Sequence, residues 1–594
     1  MTEWLHPSIL FIGGAILIPF LRGKAQKGYL LLVAAAAILV TFSMSHGTFW
    51  TSNFLGQEII FGRVDRLSLV FSYVFTIMAF IGITYALHVD DTLQHMAAFF
   101  YVGSSLGVVF AGDYLTLFIF WEIMAFASAY LVFASRKREA IEAGSRYLMF
   151  HILGGVCLMA GILLHYVDTG SFLVGPMEQN GSLAFYLILI GFLINAAVPP
   201  LHAWLVDSYP DATVTGAVFM SAFTTKTAIY VLVRIFPGTE ILIWLGVIMA
   251  LYGVVYAVLE NDVRRLLSYH IVSQVGYMVA GVGMGTEMAL NGSVSHAFAH
   301  ILYKALLFMG AGAVIHMTGR RKLTELGGLY KYLPLTFVLY MVGGVAISGF
   351  PLFSGFVSKS MVVSAANHGG WPIVALLLTM VSAGTFLSIG LKLPYYVFFG
   401  KDSGVTAKEP PLNMLIGMGL AAFLCIAIGV SPDALYGVLP YPVHFEPYTA
   451  DHVTGALAIL MFTALGFFLL LKRLDPEPTI SVDTDWFYRK GVRVFFWFVD
   501  KPMTTFGNHI GTFFFHSIPS YLIWFSKNPL AALKIGMENV FMRFCRQPRR
   551  KQIEYRIERE KAIYPGDIIK PWPIGSTVLW ITLVFIGHLL LYYL

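Results

Sequence analysis

Tyr114–Phe133 reads YLTLFIFWEIMAFASAYLVF. The run is long enough to cross a membrane and holds a single acid, Glu122, near its middle. An ionised carboxylate at bilayer depth costs about 2.5–3.5 kcal/mol on insertion scales, so an acid retained there is a candidate functional group. The alternative is a protonated carboxyl that hydrogen-bonds a neighbouring helix. The rest of the chain weighs between these two readings.

The 594 residues are 57% hydrophobic and only 12% charged, with a mean hydropathy of +0.73. Soluble domains carry about 25% charged residues. Long unbroken apolar runs require helices and not a barrel, because every backbone donor at membrane depth must be satisfied within its own segment. The fold class is therefore an all-α polytopic membrane protein. The net charge of +6 lies mostly in loops, where it reports orientation and not nucleic-acid binding. Cys157, Cys425 and Cys545 are isolated. Without a CxxC pair, a Cys–His cluster or a phosphate-binding glycine loop, no cofactor and no metal are expected. The first apolar run lacks a cleavable-signal pattern and reads as a retained span.

Spans fall at 8–22, 28–45, 66–88, 95–111, 114–134, 143–166, 183–208, 213–235, 240–259, 267–286, 293–316, 333–367, 371–398, 412–431, 453–472 and 574–593, about sixteen in all. Pro199-Pro200 splits the seventh and Gly349-Phe350-Pro351 the twelfth, because proline removes a backbone donor and clashes with the preceding turn. Such breaks survive at membrane depth only inside protein or beside a water-filled cavity. Basic loops follow the first, fifth, ninth and eleventh spans: Arg22, Lys24 and Lys27; Arg136, Lys137 and Arg138; Arg264 and Arg265; Arg320, Arg321 and Lys322. All lie on one side, which the positive-inside rule makes cytoplasmic, with both termini outside.

AAVPPLHAWL (196–205) and ISGFPLFSGF (347–356) are both broken-helix cores, and Lys226 and Lys392 occupy matching spans after them. The spacing predicts two inverted five-helix repeats, a transporter signature. The expected organisation is N-terminal spans over 1–94, a core over 95–398 made of repeats 95–235 and 240–398, and additional spans over 399–475. A lateral amphipathic segment over 476–573 and a last span over 574–594 follow. The lateral segment mixes Trp486, Phe487, Tyr488, Phe495, Phe496, Trp497 and Phe498 with Lys and Arg, a composition suited to a membrane surface or partner subunits. Pro502, Pro519 and Pro529 are expected to interrupt it.

Other ionisable residues join Glu122 at membrane depth. Lys226 lies within its span. His296, His300 and Lys304 recur at i, i+4 and i+8, on one helix face. Lys359 follows the second break. His270 and Gln274 are one turn apart, and His202 lies in the first break. Lys392 is near a span end, where lysines usually snorkel to the headgroups. A row of Glu, Lys and His at this depth is what a proton relay needs, since protons exchange efficiently where a group titrates near neutrality. Static interhelical ion pairs and hydrogen-bonded core histidines are the competing readings.

The motifs FWEIMAFASAYL, PPLHAWLVDSYPDA with the Lys226 segment, NDVRRLLSYHIVSQVGYM, HAFAHILYKALLFMGAGAVIH and FPLFSGFVSK occur in this order. Over residues 60–475 the chain resembles the antiporter-like subunits shared by respiratory complex I, membrane-bound hydrogenases and Mrp-type multisubunit Na⁺/H⁺ antiporters. SYHIVSQVGYM and TTKTAIYVLVR are most similar to the D-type subunit of the Mrp antiporters. The long segment before the last span is more similar to the L-type subunit of complex I. The resemblance implies that Glu122 is the glutamate of the fifth helix and Lys226 the connecting lysine of the eighth. It makes His296, His300 and Lys304 the central-axis residues, and Lys359 the terminal residue of the broken twelfth helix. It further implies protons, with Na⁺ as a second candidate, moving along a hydrated axis in a bacterial or archaeal cytoplasmic membrane. The driving force would come from other membrane subunits of an Mrp-type, hydrogenase-like or complex I-like assembly. One departure stands out: Asn195 occupies the position where the family has a lysine paired with the glutamate. Glu122 then needs another partner, for which Lys226 is the candidate, or the first half-channel is altered or inactive. A structural or docking role, and a redox subunit with a quinone or metal site, are the alternative functions.

Overall fold

In the computed structural model, which describes residues 5–54, 56–478, 482–564 and 574–593, the apolar runs are helices. The N-terminal part runs through α1 (Pro7–Leu17), α2 (Gly23–Phe42), a hairpin of β1 (Gly47–Phe54) and β2 (Gln57–Val64), α3 (Arg66–Ala86) and α4 (Thr92–Phe110). Next come α5 (Tyr114–Phe133), α6 (Arg138–Thr169), α7 (Leu183–Asn195), α8 (Ala203–Ser208), α9 (Val214–Ala222) and α10 (Thr224–Ile235). The second half has α11 (Ile241–Leu259), α12 (Val263–Met284), α13 (Glu287–Thr318), α14 (Pro334–Ser348), α15 (Ser354–His368) and α16 (Pro372–Thr385). It closes with α17 (Leu412–Val430), the single turn α18 (Asp433–Tyr436) and α19 (Ala450–Leu469). Among the described residues, twelve helical stretches are long and apolar enough to cross a membrane, and Pro7–Phe20, Leu183–Asn195 and Pro334–Ser348 are shorter apolar helices. With α12, which is buried but carries Arg, His and Gln, each expected span coincides with a helical stretch.

Both expected breaks are present, and each contains a non-glycine residue with left-handed backbone. Ala197 has φ 58° between α7 and α8, and Leu352 has φ 73° between α14 and α15. That conformation costs about 1–2 kcal/mol for an L-residue and persists only where its surroundings enforce it. Trp204 Nε1 spans the first break by donating to Ile194 O at 2.9 Å. Two further distortions occur in the spans that follow. The eighth span is interrupted at Phe223, between α9 and α10. The thirteenth widens into π-helix over Phe386–Lys392 and Tyr395–Phe399. Each lies beside a lysine, Lys226 in the first case and Lys392 in the second.

Polar residues at loop ends fix the helices that carry the interior groups. Asp113 is fully buried: it caps α5 through Thr116 N (2.8 Å) and accepts from Ile60 N of β2 (2.9 Å). Arg264 and Arg321, counted above as orientation charges, also have structural roles. Arg264 Nη1 donates to Ala212 O (2.8 Å), and Arg321 pairs with Asp211 (2.7 Å) and Asp262 (2.7 Å).

Asp65 caps α3 and forms a two-pronged pair with the buried Arg234 of α10, at 2.8 and 2.7 Å. Burial alone would raise the Asp65 carboxyl. The hydrogen bonds and charge of Arg234, the Ser68 amide and the charge of Arg63 outweigh it and hold the group at about 2, below its ordinary 3.8. Because the folded value is depressed, the pair stabilises the protein above the ordinary value and loses that contribution as pH falls toward about 2. Asp65→Ala leaves a buried guanidinium without its carboxylate, and breaking a buried pair in this way costs about 3 kcal/mol. Arg234→Ala costs less, because the stranded carboxylate is the more exposed partner, at 35% against 6%. Thermal melting of the detergent-solubilised protein, comparing the two variants, checks that order.

The chain divides into two compact units, Met1–Asp485 and Trp486–Leu594. In the second, α20 (Asp485–Phe498), α21 (Thr504–Thr512) and α22 (Ile518–Lys527) form one helical run joined by π turns at Val499–Met503 and Phe513–Ser517. Pro502 and Pro519 therefore do not end the helix. Pro502 lies within the first widened turn and Pro519 just after the second, where the altered hydrogen-bond register accommodates the missing donor. The run ends at Asn528, which caps α23 (Pro529–Phe544) through Ala531 N at 3.1 Å. Then comes α24 (Arg549–Ile563), packed on α23 through Ile535, Ile553 and Ile557. Residues 479–481 and 565–573 of the expected lateral segment lie outside the described residues. The last helix is α25 (Ile574–Tyr593).

Candidate functional site

The interior ionisable groups gather around α13. Its face carries His296, His300 and Lys304, all fully buried. Ring centroids step from Tyr277 to His296 (5.5 Å), His296 to His300 (6.2 Å) and His300 to Tyr303 (5.3 Å). His296 Nδ1 lies 3.0 Å from Ser358 Oγ of α15, and Tyr303 OH is 3.4 Å from His296 Nε2. Both ring nitrogens of His300 and the Lys304 amine have no hydrogen-bond partner among the described residues. The amines of Lys226, Lys304 and Lys359 all lie within electrostatic range of His300.

Lys226 enters from α10. The break at Phe223 leaves the carbonyl of Ser221 unpaired within its helix, and Lys226 Nζ donates to it at 2.6 Å. Lys359 makes the analogous contact at the other break, donating to Ile347 O at 2.5 Å, and its amine lies 5.4 Å from the Tyr277 ring centre. Each lysine thus sits on a main-chain carbonyl at a helix interruption. The placement of Lys359 depends on Gly355, one turn earlier: a Cβ there would lie 1.8 Å from Ala346 O. A cavity of about 360 Å³ reaches Lys359, with Ser364, Asp451 and His452 on its wall.

Glu122 and Asn195 lie apart from this cluster in their bonding. Glu122 packs against Gly155 of α6, where an added Cβ would lie 2.1 Å from Oε1, and Oε1 has no hydrogen-bond partner among the described residues. The expected ion pair with Lys226 is absent: the lysine is occupied by Ser221 O, and no acid is within ion-pair distance of it among the described residues. Both amide atoms of Asn195 are likewise buried without a partner there.

The accessory residues have separate surroundings. Lys392 does not snorkel. It is 6% exposed and donates to Val258 O (2.6 Å) and Glu260 O (3.2 Å), where the carbonyls at the end of α11 lack helical partners. His270 Nε2 lies 2.6 Å from Ser388 Oγ, and Gln274 Nε2 donates to Thr385 Oγ1 (3.4 Å), both on the widened thirteenth span. His202 meets Asp483, at 3.2 Å from Nε2, a contact that the sequence does not signal. Nor does it single out His151, stacked on Tyr147 at 4.0 Å and set edge-on to Trp204 at 4.6 Å. Tyr277 and Tyr303 could have been found by their helical spacing from the histidines, whereas a lone aspartate in a polar linker carries no such signal. Among the described residues, no group of three or more His, Cys, Asp or Glu is placed to hold a metal ion.

Broken helices around a buried row of lysines and histidines define a polytopic membrane subunit of transporter type. Among known proteins, the family described as NADH:quinone oxidoreductase/Mrp antiporter, TM, matches over residues 111–388. The D-type subunit of the Na(+)/H(+) antiporter of Alkalihalophilus pseudofirmus is 33% identical over 362 residues, covering 57% of this chain and 72% of that protein. The A-type subunit from the same organism is 29% identical over 486 residues, and the match spans 71% of this chain and 60% of its length. A chain of the membrane-bound sulfane sulfur reductase, an archaeal respiratory membrane complex, shares the fold. Its TM-score is 0.69 at 22% identity, with 85% of this chain and 94% of that one covered. The protein belongs to this family of integral membrane subunits.

Proposed function

We propose that the chain is an ion-translocating subunit of a multisubunit membrane complex, moving protons along Glu122, Lys226, His300, Lys304 and Lys359. Na⁺ is a second candidate ion, as the names of the antiporter relatives imply. One observation carries the reading. Lys226, Lys304 and Lys359 are buried without a carboxylate partner among the described residues, and the same interior holds unpartnered Thr225 and Thr227 hydroxyls, His300 nitrogens and the Asn195 amide. Buried polar groups in native proteins are almost all hydrogen-bonded, and ordered water supplies the bonds that protein does not. Buried amines without carboxylate partners are poor static bridges and suit a hydrated path on which protons exchange. The basic loops place the His202 end of the first break toward the cytoplasm and Asp451 and His452 toward the outside of a bacterial or archaeal cytoplasmic membrane. The partners are other membrane subunits of an Mrp-type or complex I-like assembly, and the boundaries 95–235 and 240–398 are the two half-channels.

Lys226→Met keeps most of the length of the side chain and removes its amine. The expected outcome is an assembled complex whose gradient-driven proton flux, followed by a pH-sensitive dye in everted vesicles, falls at least about a hundredfold. Flux equal to wild type would remove Lys226 from the path. A second reading, a docking subunit with an inactive first half, is favoured by Asn195 and the unpaired Glu122. It predicts that Glu122→Gln leaves the flux unchanged.

A further inference from the structure

The linker that follows α19 returns to the first break. Tyr396 OH donates to Asp475 Oδ1 at 2.8 Å, Tyr256 OH to Val482 O at 3.1 Å, and Thr484 Oγ1 to Pro200 O at 3.3 Å. These contacts set Asp483, only 4% exposed, against the fully buried His202. Its carboxylate accepts from Tyr269 OH at 2.6 Å and from Tyr252 OH, and lies 3.2 Å from His202 Nε2. His202 Nδ1 is buried with no partner among the described residues. Seven positions earlier in the same broken span stands Asn195, which cannot carry a proton.

We propose that Asp483 is a positioning residue that holds His202 as the protonatable group of the first half-channel, at the break that follows Asn195. The inference rests on the proton path proposed above. The groups facing the pair are Tyr252 and Tyr256 of α11 and Tyr269 of α12; Arg265 and Glu260 reach it only through Tyr269. Among the described residues no Lys or Arg pairs with the carboxylate, and His202 is the basic side chain that meets it. Burial raises the Asp483 carboxyl, but the hydrogen bond and charge of His202 and the two tyrosine hydroxyls outweigh it and keep the group well below the usual carboxylate range. The carboxylate on Nε2 holds that nitrogen as the donor and leaves Nδ1, buried without a partner among the described residues, as the atom that takes up and releases a proton. Loss of that proton leaves a neutral ring still donating from Nε2 to the carboxylate, so the ring keeps its orientation between the two states.

The test uses the full chain in its complex. Asp483→Asn keeps the shape and one acceptor oxygen, for one of the two tyrosines, and removes the charge. Its proton flux is expected to fall about tenfold at the alkaline end, with the alkaline limb of the pH profile displaced about one pH unit downward. Asp483→Glu restores the profile, and Tyr252→Phe, which removes a hydrogen bond but no charge, leaves it in place. A profile for Asp483→Asn that superimposes on wild type overturns the proposal. So does a uniform loss at every pH that glutamate fails to rescue, which would mark a purely structural contact. Lys304→Ala assayed in parallel separates the two levels. If it is inactive while Asp483→Asn behaves as wild type, this inference alone fails. If Lys304→Ala transports normally, the proton path itself fails and this inference with it.

Discussion

Replacing Lys304 with alanine is expected to leave an assembled complex that moves no protons. The two parts of that result have separate physical grounds. Assembly survives because the amine makes no hydrogen bond and no ion pair among the described residues; it stands over the Phe308 ring, 5.9 Å from the centroid. Losing the aliphatic stem costs about 2–3 kcal/mol of packing, partly offset by removing a polar group buried without a partner. Transport is lost because Lys304 is within electrostatic range of both Lys226 and Lys359, one turn beyond His300 on the same face. Without it the row has a gap that no other ionisable side chain of α13 fills. A flux at least about a hundredfold below wild type in the vesicle assay, with an unchanged native-gel band, checks both parts.

The second large effect is structural in origin. Gly355→Ala places a methyl 1.8 Å from Ala346 O, a distance that backbone on both sides of the twelfth-span break must open. Small-to-large changes in a packed interior cost about 1–3 kcal/mol, and the upper part of that range applies here because the obstacle is main chain and not a side chain that can turn away. The displacement also separates Lys359 from Ile347 O, the next carbonyl along α14, so transport falls together with thermal stability. Gly419→Ala, where an added Cβ meets nothing within 4 Å, is the matched control and should change neither. Thermal melting alongside the flux assay distinguishes this variant from Lys304→Ala, whose net loss of stability is the smaller because removing the unpartnered amine offsets part of the packing cost.

The features legible in the sequence are those with a strong local cause. Pro199-Pro200 and Gly349-Phe350-Pro351 announce their breaks because proline cannot continue a helix. The His296, His300 and Lys304 face follows from 3.6-residue periodicity alone. The interruption at Phe223 was hidden because SAFTTK contains neither Gly nor Pro; packing, not propensity, opens the helix there. The widened turns at Phe386–Lys392 are marked only by Gly390 and Pro394, which do not specify a π turn, and Lys392 read as a snorkelling lysine when it in fact caps α11. Pro502 was misleading in the opposite sense, since a π turn absorbed a residue that normally ends a helix. The β1–β2 hairpin and the Asp483–His202 contact depend on which distant segments meet. Two hundred and eighty-one residues separate that pair, beyond what spacing can encode.

A path in series has a signature that independent ion pairs lack. Once one link is removed, removing the others costs nothing further, as with residues that act as a unit. The decisive measurement is proton flux in vesicles carrying the complex with Lys226→Ala, Lys304→Ala or Lys359→Ala singly, and with all three together. The expected result is that each single variant falls to the same residual flux as the triple. Single variants that keep most of the wild-type flux, with losses that accumulate only in the triple, would contradict a single hydrated row through these lysines.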